Sequence, residues 1–355
     1  MKKYNFYAGP AILPQEVLQG LAEAVLNFEG SGLSIAEISH RSNAFTRVIE
    51  EARELVREIL YLSDSQEVLF LSGGSTTQFS LVPMNLLDSK KTAAYINTGE
   101  WASKAVEAAK MYGNAVEIAS SARENFTYIP KQYSIPQDAA YLYFTSNNTI
   151  YGTQFHQFPE TDVPLVADMC SDIFSREFDA SRFALIHASA QKNLGPAGTT
   201  LLIVDKNILG KVQREIPEIF DYQQHIAKNS VMNTAPVLAI YGCYLTLKWI
   251  KARGLAKIEA DNIAKAQTLY ACIDKSDFYE NNIQKADRSL MNVIFTLKNK
   301  DLERKFLAEA EQAGIIGIKG YRTVGGFRAS LYNAMDLAGV EYLVGFMQEF
   351  EGRNG

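Results

Sequence analysis

Lys192 stands in FALIHASAQKNLGPAGTTLLIV, between two apolar runs and just ahead of Gly195, Pro196 and Gly198. Small and turn-forming neighbours of this kind let a planar ligand approach the backbone closely, a setting unlike that of an ordinary helix-face charge. A lysine amine placed there can form a Schiff base with a carbonyl compound. Upstream, Asp168 closes the apolar run of VPLVADMCSD. In open α/β sheets the carboxyl ends of strands face the ligand crevice. Taken singly, Lys192 also reads as a surface-turn lysine, and Asp168 as a helix N-cap. Placed together at adjacent strand ends they supply what pyridoxal 5'-phosphate needs: an amine for its aldehyde, and a carboxylate to keep its pyridine nitrogen protonated.

An anion site fits the same picture. VLFLSGGSTTQFSLVP runs from a strand through Gly73 and Gly74 into the hydroxyl residues Ser75, Thr76 and Thr77, then into a helical pattern. A helix start after a glycine turn offers unpaired N–H groups and the positive end of a dipole, which makes a phosphate cup. The GK[ST] ending of a P-loop and the GxGxxG of a dinucleotide fold are both missing. Trp101, at the start of a helix in YINTGEWASKA, can stack on a ring or simply pack. Thr149 in FTSNNTIYG follows another strand and can donate to a cofactor oxygen. Arg41 in EISHRSNAF, Arg322 in GYRTVGG and Arg328 in GGFRASLYN carry forks suited to carboxylate and phosphate.

The elements that must position these residues follow from hydrophobic spacing. Between about Pro14 and Leu209 short apolar runs alternate with helical patterns, as a mostly parallel sheet wrapped by helices requires. Strands are expected at 67–71, 92–97, 140–145, 165–168, 184–188 and 200–204, with a helix over 102–111. Helices over 237–252 and 258–272 lead to a strand at 291–297, a helix over 301–313 and a glycine-punctuated stretch from 314 to 326. The expected fold is α/β: a large domain over 16–255 and a smaller α+β domain over 256–355, joined by the N-terminal segment 1–15. At 355 residues and 47% hydrophobic content, two such units are the natural division.

Composition narrows the function. With 35 basic and 40 acidic residues and a net charge of −5, the chain has no global attraction for nucleic acid or an anionic membrane. No apolar stretch has the length of a membrane span, and MKKYNFYAGPAILP lacks the apolar core of a signal peptide. The three cysteines are widely spaced without CxxC pairing, which points to a reducing, cytoplasmic setting. The four histidines show no metal-binding context, so no metal is expected.

From NFYAGPAILP through HRS, SGG and VPMNLL to AQKNLGPAG, MNTAP and GGFRASLYNAM, the chain resembles the phosphoserine aminotransferase family. These are class-V pyridoxal-phosphate enzymes of the aspartate-aminotransferase-like fold type I. The resemblance implies that Lys192 carries the cofactor, Asp168 pairs with its pyridine nitrogen, Trp101 stacks on the ring, and Thr149 and Gln191 flank it. Ser75 and Thr76 match the phosphate-cup positions, and Asn233 and Thr234 match residues that reach the phosphate from a neighbouring subunit, which implies a homodimer with shared active sites. Arg328 matches the arginine for the substrate α-carboxylate; His40, Arg41 and Arg322 match the pocket for the distal anion. Tyr321 stands where some relatives have histidine, and Ala8 where some have serine. The implied reaction is ping-pong transamination of phosphohydroxypyruvate with glutamate to phosphoserine and 2-oxoglutarate in serine synthesis, with a possible branch toward pyridoxine. The alternative within the same fold is a serine-pyruvate or alanine-glyoxylate aminotransferase.

Overall fold

The computed structural model describes residues 2–355. Its strands are β1 (Tyr4–Asn5), β2 (Gln66–Ser72), β3 (Thr92–Asn97), β4 (Asn114–Ser120), β5 (Ala139–Thr145), β6 (Leu165–Asp168), β7 (Leu185–Ser189), β8 (Thr199–Asp205), β9 (Tyr279–Glu280), β10 (Asn292–Leu297), β11 (Ile315–Ile316) and β12 (Phe327–Ser330). The α-helices are α1 (Gln15–Asn27), α2 (Asn43–Leu60), α3 (Ser75–Leu86), α4 (Glu100–Ala109), α5 (Tyr222–Ala227), α6 (Val237–Arg253), α7 (Leu255–Lys275), α8 (Glu303–Gln312) and α9 (Leu337–Asn354).

The large sheet has seven strands in the order β2-β8-β7-β6-β5-β3-β4. Only β8 opposes its neighbours; the others run in one direction. Side chains alternate between the two faces. On β7, Leu185 joins the core beneath α3 and α4, while Ile186 and Ala188 join the core beneath α2 and α6. Continuous burial along β3, β6 and β7 marks strands covered on both sides. A separate core gathers α7, α8, α9, the three-stranded β12-β10-β9 sheet and Phe6. There β1 pairs in parallel with β11, tying the start of the chain to its last third.

The expected strands in the first two thirds are all present, within a residue or so at each end. β1, β4, β9, β12, α1, α2, α5 and α9 lie outside the segments assigned from sequence. β4 is an edge strand whose polar residues face outward, so its alternation is weak. The spacing of Phe45, Val48, Ile49, Ala52 and Val56 on α2 is nonetheless that of a helix with one buried face.

Two packing features hold the parts that carry Lys192 and Arg328. First, Gly195 lies flush against α6: a Cβ there would sit 2.9 Å from Cys243 Sγ and 3.0 Å from Cys243 N. Second, buried Lys265 on α7 donates 2.8 Å hydrogen bonds to the carbonyls of Leu331 and Tyr332, just past β12. A neutral amine has two N–H groups and here finds two acceptors. Burial pushes Lys265 down to about 7, against the pull of Asp261.

Two outcomes are expected. Gly195→Ala meets backbone atoms that cannot swing away, and should cost about 1–3 kcal/mol in urea unfolding, the range for overpacked cores; a loss under roughly 0.5 kcal/mol, within the scatter of surface substitutions, would contradict the close approach. For Lys265 the unfolded lysine binds a proton that the folded one has released between pH about 7 and the ordinary lysine value, so stability rises with pH across that window, by at most about 1.4 kcal/mol per pH unit. Denaturant midpoints at pH 7 and pH 9 should therefore rise more for the unsubstituted protein than for Lys265→Met; equal rises would refute the depressed amine.

Candidate active site

Because β2, β3, β5, β6 and β7 run in one direction, their carboxyl ends meet along one edge of the sheet, and the connections leaving them carry Ser75, Trp101, Thr149, Asp168 and Lys192. Pairing fixes the details: Thr145, Asp168 and His187 stand side by side across β5, β6 and β7. Ser72 faces Thr199 across the β2–β8 ladder, and Ser189 faces Thr200 across β7–β8.

Lys192 is half-buried, and its Nζ donates to Thr149 Oγ1 at 2.7 Å. The N-terminal segment lies over it. Ala11 N donates to the Gln191 carbonyl at 2.9 Å, and a Cβ on Gly9 would stand 3.5 Å from Lys192 Cγ and 3.6 Å from Gln191 Cγ. Tyr332 Oη donates to the Ala8 carbonyl at 2.7 Å, which anchors this segment to the chain just past β12. Arg328 on β12 reaches the Thr149 carbonyl at 3.4 Å through Nη1, while its Nε is buried without a partner. Burial lowers the Arg328 guanidinium pKa, against the pull of Tyr332 and Tyr321. A buried cation with an unmet donor is set to take an anion.

Asp168 is 4% exposed, and among the described residues its carboxylate accepts one hydrogen bond, from Cys170 N at 3.0 Å. Around it is a closed polar ring that sequence reading did not find. Cys170 Sγ donates to Ser75 Oγ at 2.7 Å, Ser75 N donates to Ser189 Oγ at 2.6 Å, and Ser189 N donates to Cys170 Sγ at 3.2 Å. His187 joins the ring through Nδ1, 3.0 Å from Ser75 Oγ, and touches Tyr143 Oη at 3.0 Å through Nε2. Burial lowers the His187 pKa, opposed by Asp168. Part of Cys170 reaches the surface, yet burial pushes its thiol up to about 12. Asp168, Cys170 and His187 place ligand atoms within 4.8 Å of one another, a donor set metals can use; here the thiol and both imidazole nitrogens are bonded to protein groups instead. Asp168 alternates with Val166, and His187 and Ser189 with Leu185, which puts these polar groups on the face under α3; that spacing gives the face but does not mark His187 as a site residue.

At the glycine turn before α3, Gly73 takes a φ of +100°, which favours glycine, and its N–H donates to the Gly198 carbonyl at 3.1 Å. Ser75 opens α3 but turns its hydroxyl inward onto His187 and Cys170, whereas Thr76 is exposed. Asn233 donates to Ser72 Oγ at 3.3 Å, beside that turn, and Thr234 is exposed. Trp101 lies in the first turn of α4 with Lys104 Nζ 4.7 Å above its ring. That turn abuts the Thr149 loop, since a Cβ on Gly99 would come within 2.8 Å of Asn148 Oδ1. The chain brings neither His40 nor Arg41 into contact with Lys192. His40 shares a cavity of about 500 Å³ with Pro196, Thr234 and Ala239, and its Nε2 is buried without a partner. Arg41 and Arg322 are exposed, and neither guanidinium has a hydrogen-bonding partner among the described residues.

This arrangement suits pyridoxal phosphate: an amine against a hydroxyl, a carboxylate at the strand end below, a glycine turn into a helix start, and a buried arginine with an unmet N–H. Comparison with known proteins agrees. The model of the family described as aminotransferase class-V matches residues 3–343. A phosphoserine aminotransferase from Phocaeicola vulgatus is 51% identical over 355 residues, covering 99% of each chain. The solved phosphoserine aminotransferase from Bacillus circulans subsp. alkalophilus superposes with a TM-score of 0.97 at 42% identity, covering 100% of this chain and 99% of that one. The PLP-bound phosphoserine aminotransferase from Trichomonas vaginalis superposes at 0.93 with 35% identity, covering 98% and 100%. The chain belongs to the class-V aminotransferases, within the phosphoserine aminotransferase family, and is a pyridoxal-phosphate-dependent transaminase.

Proposed function

We propose that the chain transfers the amino group of glutamate to phosphohydroxypyruvate, giving phosphoserine and 2-oxoglutarate for L-serine synthesis. The observation that carries this reading is the convergence of Lys192, Thr149 and Asp168 at one edge of the large sheet, with Arg328 of β12 reaching the Thr149 carbonyl. When bound, pyridoxal phosphate supplies an aldehyde that joins to amines and a ring that takes up the electron pair released at the substrate Cα. Lys192 Nζ holds the cofactor and takes and returns the proton at the substrate Cα. Asp168 holds a proton on the ring nitrogen, and Trp101, Thr149 and Gln191 fix the ring in place. Ser75 and Thr76 bind the phosphate at the start of α3. Arg328 binds the substrate α-carboxylate through its planar fork. The segment at Gly9 closes over Lys192 and limits water there.

His40, Arg41 and Arg322 are assigned to the distal phosphate or side-chain carboxylate. Since the two exposed guanidiniums have no partner among the described residues, their site is completed in a homodimer with shared active sites, where Asn233 and Thr234 reach the neighbouring cofactor phosphate. Exposed Leu18, Val25 and Leu26 of α1, with Leu33 and Leu238, give apolar surface for that contact. Residues 16–255 form the cofactor domain and 256–355 the smaller domain, with 1–15 joining them. A cytoplasmic location accords with unpaired Cys170, Cys243 and Cys272, and no helix is long and apolar enough to cross a membrane among the described residues. A phosphorylated four-carbon oxo acid on the route to pyridoxine is a second substrate of the same class.

The test is single-turnover transfer. The cofactor-loaded protein is mixed with glutamate, 2-oxoglutarate is measured, and then phosphohydroxypyruvate or pyruvate is supplied as acceptor. Phosphohydroxypyruvate should be used at least about a hundredfold more efficiently, since a site built to bind a dianion leaves unmet charges with pyruvate. Lys192→Ala should release 2-oxoglutarate at least about a hundredfold more slowly, the scale of losing a general acid–base. Equal use of the two acceptors would favour a serine-pyruvate or alanine-glyoxylate type of enzyme; normal turnover in Lys192→Ala would remove the lysine from the chemistry.

A further inference from the structure

The Tyr143 hydroxyl is buried, and among the described residues it has one hydrogen-bonding partner, His187 Nε2. Burial raises the Tyr143 pKa far above that of an ordinary phenol, so it keeps its proton, and that proton needs an acceptor. Among the described residues only His187 Nε2 is in place to accept it. A neutral imidazole whose Nε2 accepts carries its hydrogen on Nδ1. Nδ1 lies 3.0 Å from Ser75 Oγ, so Ser75 accepts there, and it accepts a second time from Cys170 Sγ at 2.7 Å. With both acceptor directions filled, the remaining direction on the Ser75 oxygen belongs to its own hydrogen. The opposite polarity would turn the Ser75 proton into His187 and strand the Tyr143 proton in the core.

We propose that His187, as the neutral Nδ1–H tautomer, is a positioning residue that sets the direction of the Ser75 hydroxyl, so that Ser75 gives its proton to the cofactor phosphate at the start of α3. This rests on the assignment of that helix start as the phosphate cup. Tyr143 on β5, His187 on β7 and Ser75 on α3 then form one line of donors running from the core to the anion. Cys170 closes the line from the β6 side, and its amide orients Asp168, so the same ring serves both ends of the cofactor. Asp168, Cys170 and Tyr143 are the titratable groups facing His187, and Phe79 covers its ring with centroids 6.2 Å apart.

Protein labelled with ¹⁵N-histidine, with His187→Gln to assign the signal, gives the tautomer directly, without cofactor and at neutral pH. A hydrogen on Nδ1 with a bare Nε2 is expected; a hydrogen on Nε2, or on both nitrogens, would overturn the proposal. Two variants separate positioning from packing. His187→Asn places an amide N–H where Nδ1–H stood, and His187→Gln places one at the Nε2 end. Pyridoxal phosphate and unphosphorylated pyridoxal are titrated into cofactor-free protein. His187→Asn should hold pyridoxal phosphate within about threefold of the unsubstituted protein, and His187→Gln should weaken it about tenfold or more, with pyridoxal affinity unchanged in both. Equal losses for both ligands in both variants would reduce His187 to a packing role and refute the proposal. If the unsubstituted protein takes up pyridoxal but gains nothing from the phosphate, the cup assignment itself falls while the tautomer result stands apart.

Discussion

Parallel pairing is the constraint on which the site depends. Asp168 comes to lie between Thr145 and His187 because β6 hydrogen-bonds to β5 and β7 in one direction, and reversing any of these strands would carry its end residue to the far side of the sheet. A parallel arrangement forces every connection to cross over a face of the sheet before the next strand begins. The connections therefore leave from one edge, and turns widely separated in the chain gather there. β8 is the exception that serves this end: running antiparallel between β2 and β7, it brings Thr199 and Thr200 back against Ser72 and Ser189. The glycine-rich turn that carries Lys192 is thereby held from both sides.

What the edge gathers is then locked from outside the sheet. Gly195 lets α6 rest directly on the lysine turn, and the N-terminal segment is held against the lysine by its hydrogen bonds with the Gln191 carbonyl and the Tyr332 hydroxyl. Asn333 donates its backbone N–H to Asn193 Oδ1 at 3.0 Å and its side-chain amide to the Phe174 carbonyl at 2.9 Å, while Lys265 holds the carbonyls of the two preceding residues, Leu331 and Tyr332. Arg328 thus stands at a set distance from Lys192, although the two belong to different sheets.

The strand ends carrying Asp168 and Lys192 were legible because buried parallel strands are short apolar runs, and a charge that closes such a run stands out. The glycine turn leading into α3 was legible, though not the inward turn of Ser75, which depends on His187 of β7 and Cys170 just past β6 reaching it. His187 itself was invisible as a site residue, since a lone histidine inside an apolar run has no local signature. Arg41 and Arg322 were legible as anion-binding forks and His40 by resemblance alone, yet the chain by itself does not bring them to Lys192; exposed arginines are placed by what binds them. Edge strand β4 escaped because half its residues face solvent, whereas α2 carries a clear helical spacing in its buried residues.

The central claim is that Asp168, placed by the β5–β6–β7 ladder, makes the bound cofactor an electron sink. The most direct measurement is the single-turnover rate of 2-oxoglutarate release from glutamate by Asp168→Asn loaded with cofactor, with retention of the cofactor checked separately. A fall of at least about a hundredfold with cofactor still bound is expected, the scale on which removal of one preorganised electrostatic partner slows a reaction. A rate within a few-fold of the unsubstituted protein would contradict the claim.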